Sequence, residues 1–163
     1  MAIGERTRAI FLAYFITHIP ATMMIDSQVV LPRALVPAFA RKALEWHIAT
    51  NNDVLMANQP PWLRGLVACE LLFQLPFFFV AVKALMGRKN WIRGYCIAYG
   101  AHTATTLVPI LQYIWEDETF KSEKQRVALI AIYVPYLIVP LWLMMSMLAN
   151  EKPFGEDVGK KKR

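Results

Sequence analysis

Four stretches of the chain are apolar for long enough to cross a lipid bilayer, and this constrains the fold more than any motif does. They run roughly over Ala9–Leu31, Trp62–Met86, Tyr95–Trp115 and Val127–Ala149. Hydrocarbon about 30 Å thick needs about 20 helical residues at about 1.5 Å each, and every stretch supplies them. Lipid offers the backbone no hydrogen-bonding partner, so each stretch must be helical. The expected fold is an all-α integral membrane protein, a bundle of four transmembrane helices. The chain has 163 residues, 56% of them hydrophobic, and no Gly/Ser-rich linker or repeat divides it. Residues 1–149 read as one membrane domain and 150–163 as a basic cytosolic tail.

The first apolar run is longer than the core of a signal peptide and lacks a clear small-x-small exit, so it reads as a span rather than a cleaved leader. Cys69 and Cys96 fall within or at the edge of spans, which argues against a disulfide. His18, His47 and His102 are scattered without zinc-motif spacing, so neither metal nor cofactor is expected. No nucleic-acid partner is expected either.

Four spans place both termini on one side, and the Lys/Arg distribution chooses which. Arg6, Arg8, Lys83, Arg88, Lys89, Arg93, Lys152 and the terminal KKKR gather on the face of the termini. The opposite face has Arg33, Arg41, Lys42 and Arg64, then Lys121, Lys124 and Arg126, these last offset by Glu116, Asp117, Glu118 and Glu123. The bias puts both termini in the cytosol. Helical rise then converts position into depth. Asp26 lies about 25 Å up the first span and Glu70 about 12 Å below the lumenal start of the second, so both belong to the lumenal half. Thr106 falls near the middle of the third span, and Tyr133 and Tyr136 lie about 9–14 Å below the lumenal surface.

Facing agrees with depth. His18, Thr22 and Asp26 recur every four residues, as do Glu70 and Gln74; Tyr99, His102, Thr106 and Tyr113 follow helical spacing, and Tyr133, Tyr136 and Pro140 form a fourth stripe. Such stripes should converge on the bundle interior. Pro20, Pro76, Pro109, Pro135 and Pro140 free carbonyls in all four spans, and the resulting kinks favour a cavity. Small residues at Gly65, Ala68, Gly94 and Gly100 permit close helix contact. The long loop between the first two spans reads as a helical lid over the lumenal mouth, with Leu35, Phe39, Ala43, Trp46 and Ile48 on one face. In it, NND offers a helix stop at Asp53.

A carboxyl within a span is a functional candidate, because its charge must be paired, solvated or protonated. Asp26, near its span's end, reads equally as a wet helix terminus. Glu70 in VACELLFQLPFFFVAV has nothing nearby in sequence to neutralise it. Two carboxyls at one depth would share a proton and carry roughly one negative charge. Such a pair in an apolar pocket would favour a lipophilic cation, its rings packed on Tyr133, Tyr136, Phe73 and Phe77. His18 and His102 are candidate proton carriers or interhelical hydrogen-bond partners. The terminal KKKR sets Lys160 and Lys161 in the dilysine positions of an endoplasmic reticulum retrieval signal, and is equally a plain basic tail.

Taken together, HIP, MIDSQVVLPRALVP, NNDVL, QPPW, CELLFQLPFFF, KNWIR, HTATTLVPIL and YVPYLIVP, in this order from about Tyr14 to Pro140, resemble the sigma-2 receptor (transmembrane-97) family of the EXPERA superfamily. The resemblance implies a homodimeric four-helix protein of the endoplasmic reticulum membrane, extending to the nuclear envelope or lysosomal membrane. It implies an occluded pocket for sterols, oxysterols and cationic amphiphiles, and a role in cholesterol homeostasis and trafficking. It also implies a lysosomal sterol transporter of the Niemann-Pick C type as partner. By position, the family's amine-binding aspartate matches Asp26 and its supporting, hydrogen-bonding glutamate matches Glu70. Asp53 matches a second aspartate needed for binding, here read as structural support. Gln74, Thr106, Leu107, Ile110, Tyr133, Tyr136, His18, Ile25 and Met56 match pocket-lining positions. His47 and Asn51 depart from the aromatic residues of a familiar member, which implies a more polar upper pocket. The superfamily also contains sterol Δ8–Δ7 isomerases related to the emopamil-binding protein, so an enzyme using Glu70, Asp26 and His102 for proton transfer is the alternative. The motifs follow the receptor branch, and no catalytic residue is assigned.

Overall fold

The computed structural model describes residues 2–155, and among these all regular structure is helical. Helix α1 (Glu5–Met24) runs through Pro20 without a break and passes into a 3-10 turn, Asp26–Val29. After a second 3-10 turn come α2 (Ala38–Asn51) and the short α3 (Val54–Asn58). Helix α4 (Pro61–Cys69) starts with Pro at its first position, where a missing N–H costs nothing. A π turn over Glu70–Gln74 joins it to α5 (Leu75–Met86). Helix α6 (Arg93–Glu116) is unbroken at Pro109. Helix α7 (Glu123–Tyr133) opens on Ser122, whose Oγ accepts from the Gln125 N–H, and meets α8 (Pro135–Leu148) at Val134.

Three of these assemblies are both long and apolar enough to cross a membrane: Glu5–Val29, Pro61–Met86 and Glu123–Leu148. Helix α6, with 24 residues, has the length but not the apolarity. His102, Thr103, Thr105, Thr106 and Gln112 lower its hydropathy, so four equally apolar spans are not found.

The closest pairings set α6 along α8 and α1 along α5. A Cβ added to Gly100 would stand 2.5 Å from the Pro140 carbonyl oxygen and 2.7 Å from Met144 Cβ, so glycine is what lets α6 approach α8. Around Gly65 and Gly94 nothing lies within 4 Å of such a Cβ. Of the glycines expected at close contacts, only Gly100 serves one within the chain.

Two apolar clusters stabilise the bundle. One joins Phe11, Phe15, Phe78, Leu85, Ile92, Cys96, Leu143 and Met147; the other joins Val29, Leu44, Leu55, Leu63, Val67, Ile114 and Leu129. Near the first cluster the chain ends meet: Ile3 N–H donates to the Pro153 carbonyl at 2.8 Å, and Arg93 Nε donates to the Met147 and Asn150 carbonyls. Phe154 N–H donates to Asn90 Oδ1. The described ends therefore share one end of the bundle with the α5–α6 connection. Lys160 and Lys161 lie outside the described residues. Cys69 and Cys96 are both free.

The segment expected as a lid forms α2 and α3, but with a different inner face. Ala40 and Leu44 are buried, whereas Leu35, Phe39 and Trp46 are exposed. In α2 a residue seven positions from Phe39 returns to the same side, so Phe39 and Trp46 share the outer face, away from Leu44.

Candidate binding cavity

Against the second cluster, with Leu55, Met56, Leu63 and Val67 in its wall, lies a partly open cavity of about 310 Å³. Its walls come from α1 and its 3-10 turn, from the lid, and from the other long helices. Twelve residues singled out in the sequence line it: His18, Ile25, Asp26, His47, Met56, Glu70, Gln74, Thr106, Leu107, Ile110, Tyr133 and Tyr136. Ala21, Leu55, Leu63, Leu66, Val67, Thr103 and Ile132 complete the wall. Most of these are aliphatic and carry no chemical signal in the sequence. Thr103 was legible in principle, lying one turn before Leu107 and Thr106 on α6.

The carboxyls come from different elements. Helix α1 buries Phe11, Phe15, His18 and Thr22 on one face, and the 3-10 turn carries that face on to Asp26. Asp26 makes no hydrogen bond or ion pair among the described residues and stands at the cavity wall. Glu70 opens the π turn, in which Leu75 N–H bonds the Glu70 carbonyl. Pro76 follows directly; it lacks an N–H and forbids the regular bond to Leu72, which the wider turn accommodates. That turn brings Glu70 and Gln74 nearly into line toward the cavity and swings Phe73 outward, leaving it 69% exposed. Phe77 packs instead on Phe15 and Tyr99. The expectation that Phe73 and Phe77 stack on a ligand beside Glu70 is therefore corrected.

Glu70 Oε1 accepts a 2.7 Å hydrogen bond from Thr22 Oγ1, and His18 Nε2 stands 3.5 Å from the same oxygen. One ligand atom each of His18, Asp26 and Glu70 falls within 4.8 Å of the others. Glu70 and Asp26 are thus close, but the hydrogen bond expected between them is replaced by the one from Thr22. His18 is held by rings: it stacks on Phe78 at 4.7 Å and meets Tyr136 at 4.6 Å. Deeper in the cavity, Thr103 Oγ1 donates to Gln74 Oε1 at 3.2 Å. His102 is exposed and lines a separate groove with Phe73, Phe77, Tyr95 and Tyr99. Its helical spacing with Tyr99 and Thr106 pointed inward; the packing of α6 on α8 turns it out.

Asp53 lies behind the wall, fully buried. Its Oδ1 accepts from the Met56 N–H and caps α3, while Oδ2 accepts from Tyr133 Oη and pairs with His47 Nε2, each at 2.8 Å. Asn51 Nδ2 reaches His47 Nδ1 at 3.0 Å. With Asn51 donating there, the His47 proton sits on Nε2 and points at Asp53. His47, which lines the cavity, and Asn51, which does not, thus join the aspartate that ties α3 to α7.

Helical throughout its described residues, with bilayer-length apolar helices and a cavity bearing two carboxyls among them, the chain is a multi-pass membrane protein. The EXPERA (EXPanded EBP superfamily) family model matches residues 39–147. "Sigma intracellular receptor 2" of Xenopus tropicalis is 42% identical over 161 residues, covering 94% of both chains, and that of Homo sapiens is 41% identical over 160 residues, covering 91% of both. "Efficient mitochondria targeting-associated protein 19" of Saccharomyces cerevisiae is 34% identical over 158 residues, 88% of this chain and 98% of its own. The chain belongs to the sigma-2 receptor family of the EXPERA superfamily.

Proposed function

We propose that the protein is a non-catalytic receptor of the endoplasmic reticulum membrane that binds sterols, oxysterols and cationic amphiphiles in this cavity and acts in sterol homeostasis. The observation that carries the reading is the placement of Asp26 and Glu70 together in a wall otherwise dominated by aliphatic and aromatic side chains. Two acidic side chains so close in a largely apolar wall make one acidic pole in the cavity. A protonated amine neutralises it through a charge-assisted hydrogen bond while its apolar body fills the cavity against Tyr133, Tyr136, Leu107 and Ile110. A sterol uses the same apolar walls, with its hydroxyl toward His47 or Gln74.

In this reading α6 crosses the membrane beside the three more apolar spans, its polar side chains facing the cavity and its neighbours. Both termini are cytosolic, in keeping with the Lys/Arg bias. The protein is a homodimer, with a lysosomal sterol transporter of the Niemann-Pick C type as its partner. The test is binding of a labelled lipophilic amine to purified protein and to Asp26→Asn and Glu70→Gln variants with preserved thermal melting. Both substitutions should weaken binding about tenfold or more, the loss of one charge-assisted hydrogen bond. Unchanged affinity in both would refute the assignment.

The gathering of His18, Asp26 and Glu70 favours one second reading, a Δ8–Δ7 sterol isomerase, since these groups could supply an acid and a base. His102 takes no part in it, being outside the cavity. Incubation with a Δ8 sterol decides: multiple turnovers to the Δ7 product, lost in Glu70→Gln, would establish the enzyme.

A further inference from the structure

His18, Asp26 and Glu70 are also a donor set of a particular kind. One imidazole nitrogen and two carboxylate oxygens approach within 4.8 Å of one another. His18 is only 7% exposed, yet neither ring nitrogen makes a hydrogen bond among the described residues: Nδ1 is buried without a partner, and Nε2 faces Glu70 Oε1 at 3.5 Å. Nε2, on the side of Glu70 and Asp26, is therefore the ring nitrogen open to a ligand. Asp26 beside it is equally without a hydrogen-bond partner.

We propose that these three side chains form a site for a first-row divalent cation of the Zn²⁺ class. The donors suit it, since zinc takes imidazole nitrogen and carboxylate oxygen at about 2.0–2.2 Å. Tetrahedral ligands at that distance are roughly 3.3 Å apart, close to the 3.5 Å already separating His18 Nε2 from Glu70 Oε1. Asp26 has no hydrogen bond to break and closes the third corner by side-chain rotation. The fourth position faces the cavity, as in open three-ligand sites. Thr22 Oγ1 bonded to Glu70 and Phe78 stacked on His18 hold two ligands in orientation. Ca²⁺ and Mg²⁺ fit poorly, because they need six or more oxygens and the remaining walls are largely apolar. Charge supplies the driving force: a dication offsets both carboxylates, whereas a protonated amine offsets one. The site shares Asp26 and Glu70 with the proposed amine site, so metal and amine exclude each other, though either can exist without the other.

The test uses the full chain purified in detergent without a polyhistidine tag, stripped with chelator and titrated with Co²⁺ as a spectroscopic probe. One equivalent should develop the intense visible bands of a four-coordinate site, and Zn²⁺ should abolish them. Glu70→Gln should lose the bands. His18→Cys, which replaces one ligand by another, should keep them and add a thiolate-to-metal charge-transfer band, which a merely structural histidine would not produce. Saturating Zn²⁺ should raise the apparent Kd of a labelled lipophilic amine about tenfold or more. Absence of stoichiometric uptake by the unmodified chain overturns the site, as do bands unchanged in both variants or simultaneous binding of metal and amine. Metal uptake without amine binding would sustain this site and sink the receptor reading; amine binding without metal uptake would do the reverse.

Discussion

Asp53 shows how much one buried carboxylate can hold. It caps α3 through Met56 N–H and receives Tyr133 Oη on its other oxygen, beside His47 Nε2. Replacing it with alanine removes the cap and strands a half-buried hydroxyl and imidazole, so Asp53→Ala should cost about 2–4 kcal/mol, read as a lowered melting temperature. Tyr133→Phe removes one bond while Asp53 keeps the others, and should cost about 1 kcal/mol in the same assay. Thr22 is the other residue with a single clear duty. Thr22→Val keeps its shape but leaves Glu70 Oε1 without its 2.7 Å donor, so lipophilic-amine binding should weaken by roughly threefold to tenfold in equilibrium binding, in line with a lost hydrogen bond of about 0.5–1.5 kcal/mol. Asp26, Glu70 and Gln74 were readable because polar groups in apolar runs stand out. Thr22 was visible only as a member of a stripe; that it contacts Glu70, 48 positions away, depends on how α1 meets the π turn.

The elements were legible in extent and less so in facing. Runs of apolar residues gave the long helices to within a few residues, since burying backbone in lipid leaves no other structure. Facing depends on local winding, and there the π turn at Glu70–Gln74 overrides the ordinary helical period that would have aimed Phe73 inward. The lid shows the same limit: its apolar outer residues look like core when water is assumed outside, but at a membrane surface aromatic side chains can face lipid. Two outcomes test the packing of elements. Gly100→Ala must drive α6 and α8 apart and should destabilise by about 1–3 kcal/mol, visible in thermal melting. His47→Leu removes one partner of Asp53 and loosens the lid, so hydrogen exchange of amides in residues 47–58 should accelerate about tenfold, while the α6–α8 contact stays protected.

At the scale of the whole molecule, the cavity arises where polar side chains from several elements meet the second apolar cluster. Its composition follows from the fold: each long helix contributes a polar stripe, and only their convergence makes a site. The His18, Asp26 and Glu70 grouping shows why spacing alone does not reveal such a site, since one member comes from a helix, one from a 3-10 turn and one from a π turn of another segment. The central claim is that the carboxyl pair captures positive charge within an apolar cavity. It is tested most directly on the unmodified protein, by comparing the Kd of a lipophilic tertiary amine with that of its neutral isostere in which carbon replaces the nitrogen. The account predicts that the amine binds about ten- to a hundredfold more tightly, equivalent to roughly 1.5–3 kcal/mol for a hydrogen bond to a charged group. Equal affinities for the two would contradict it.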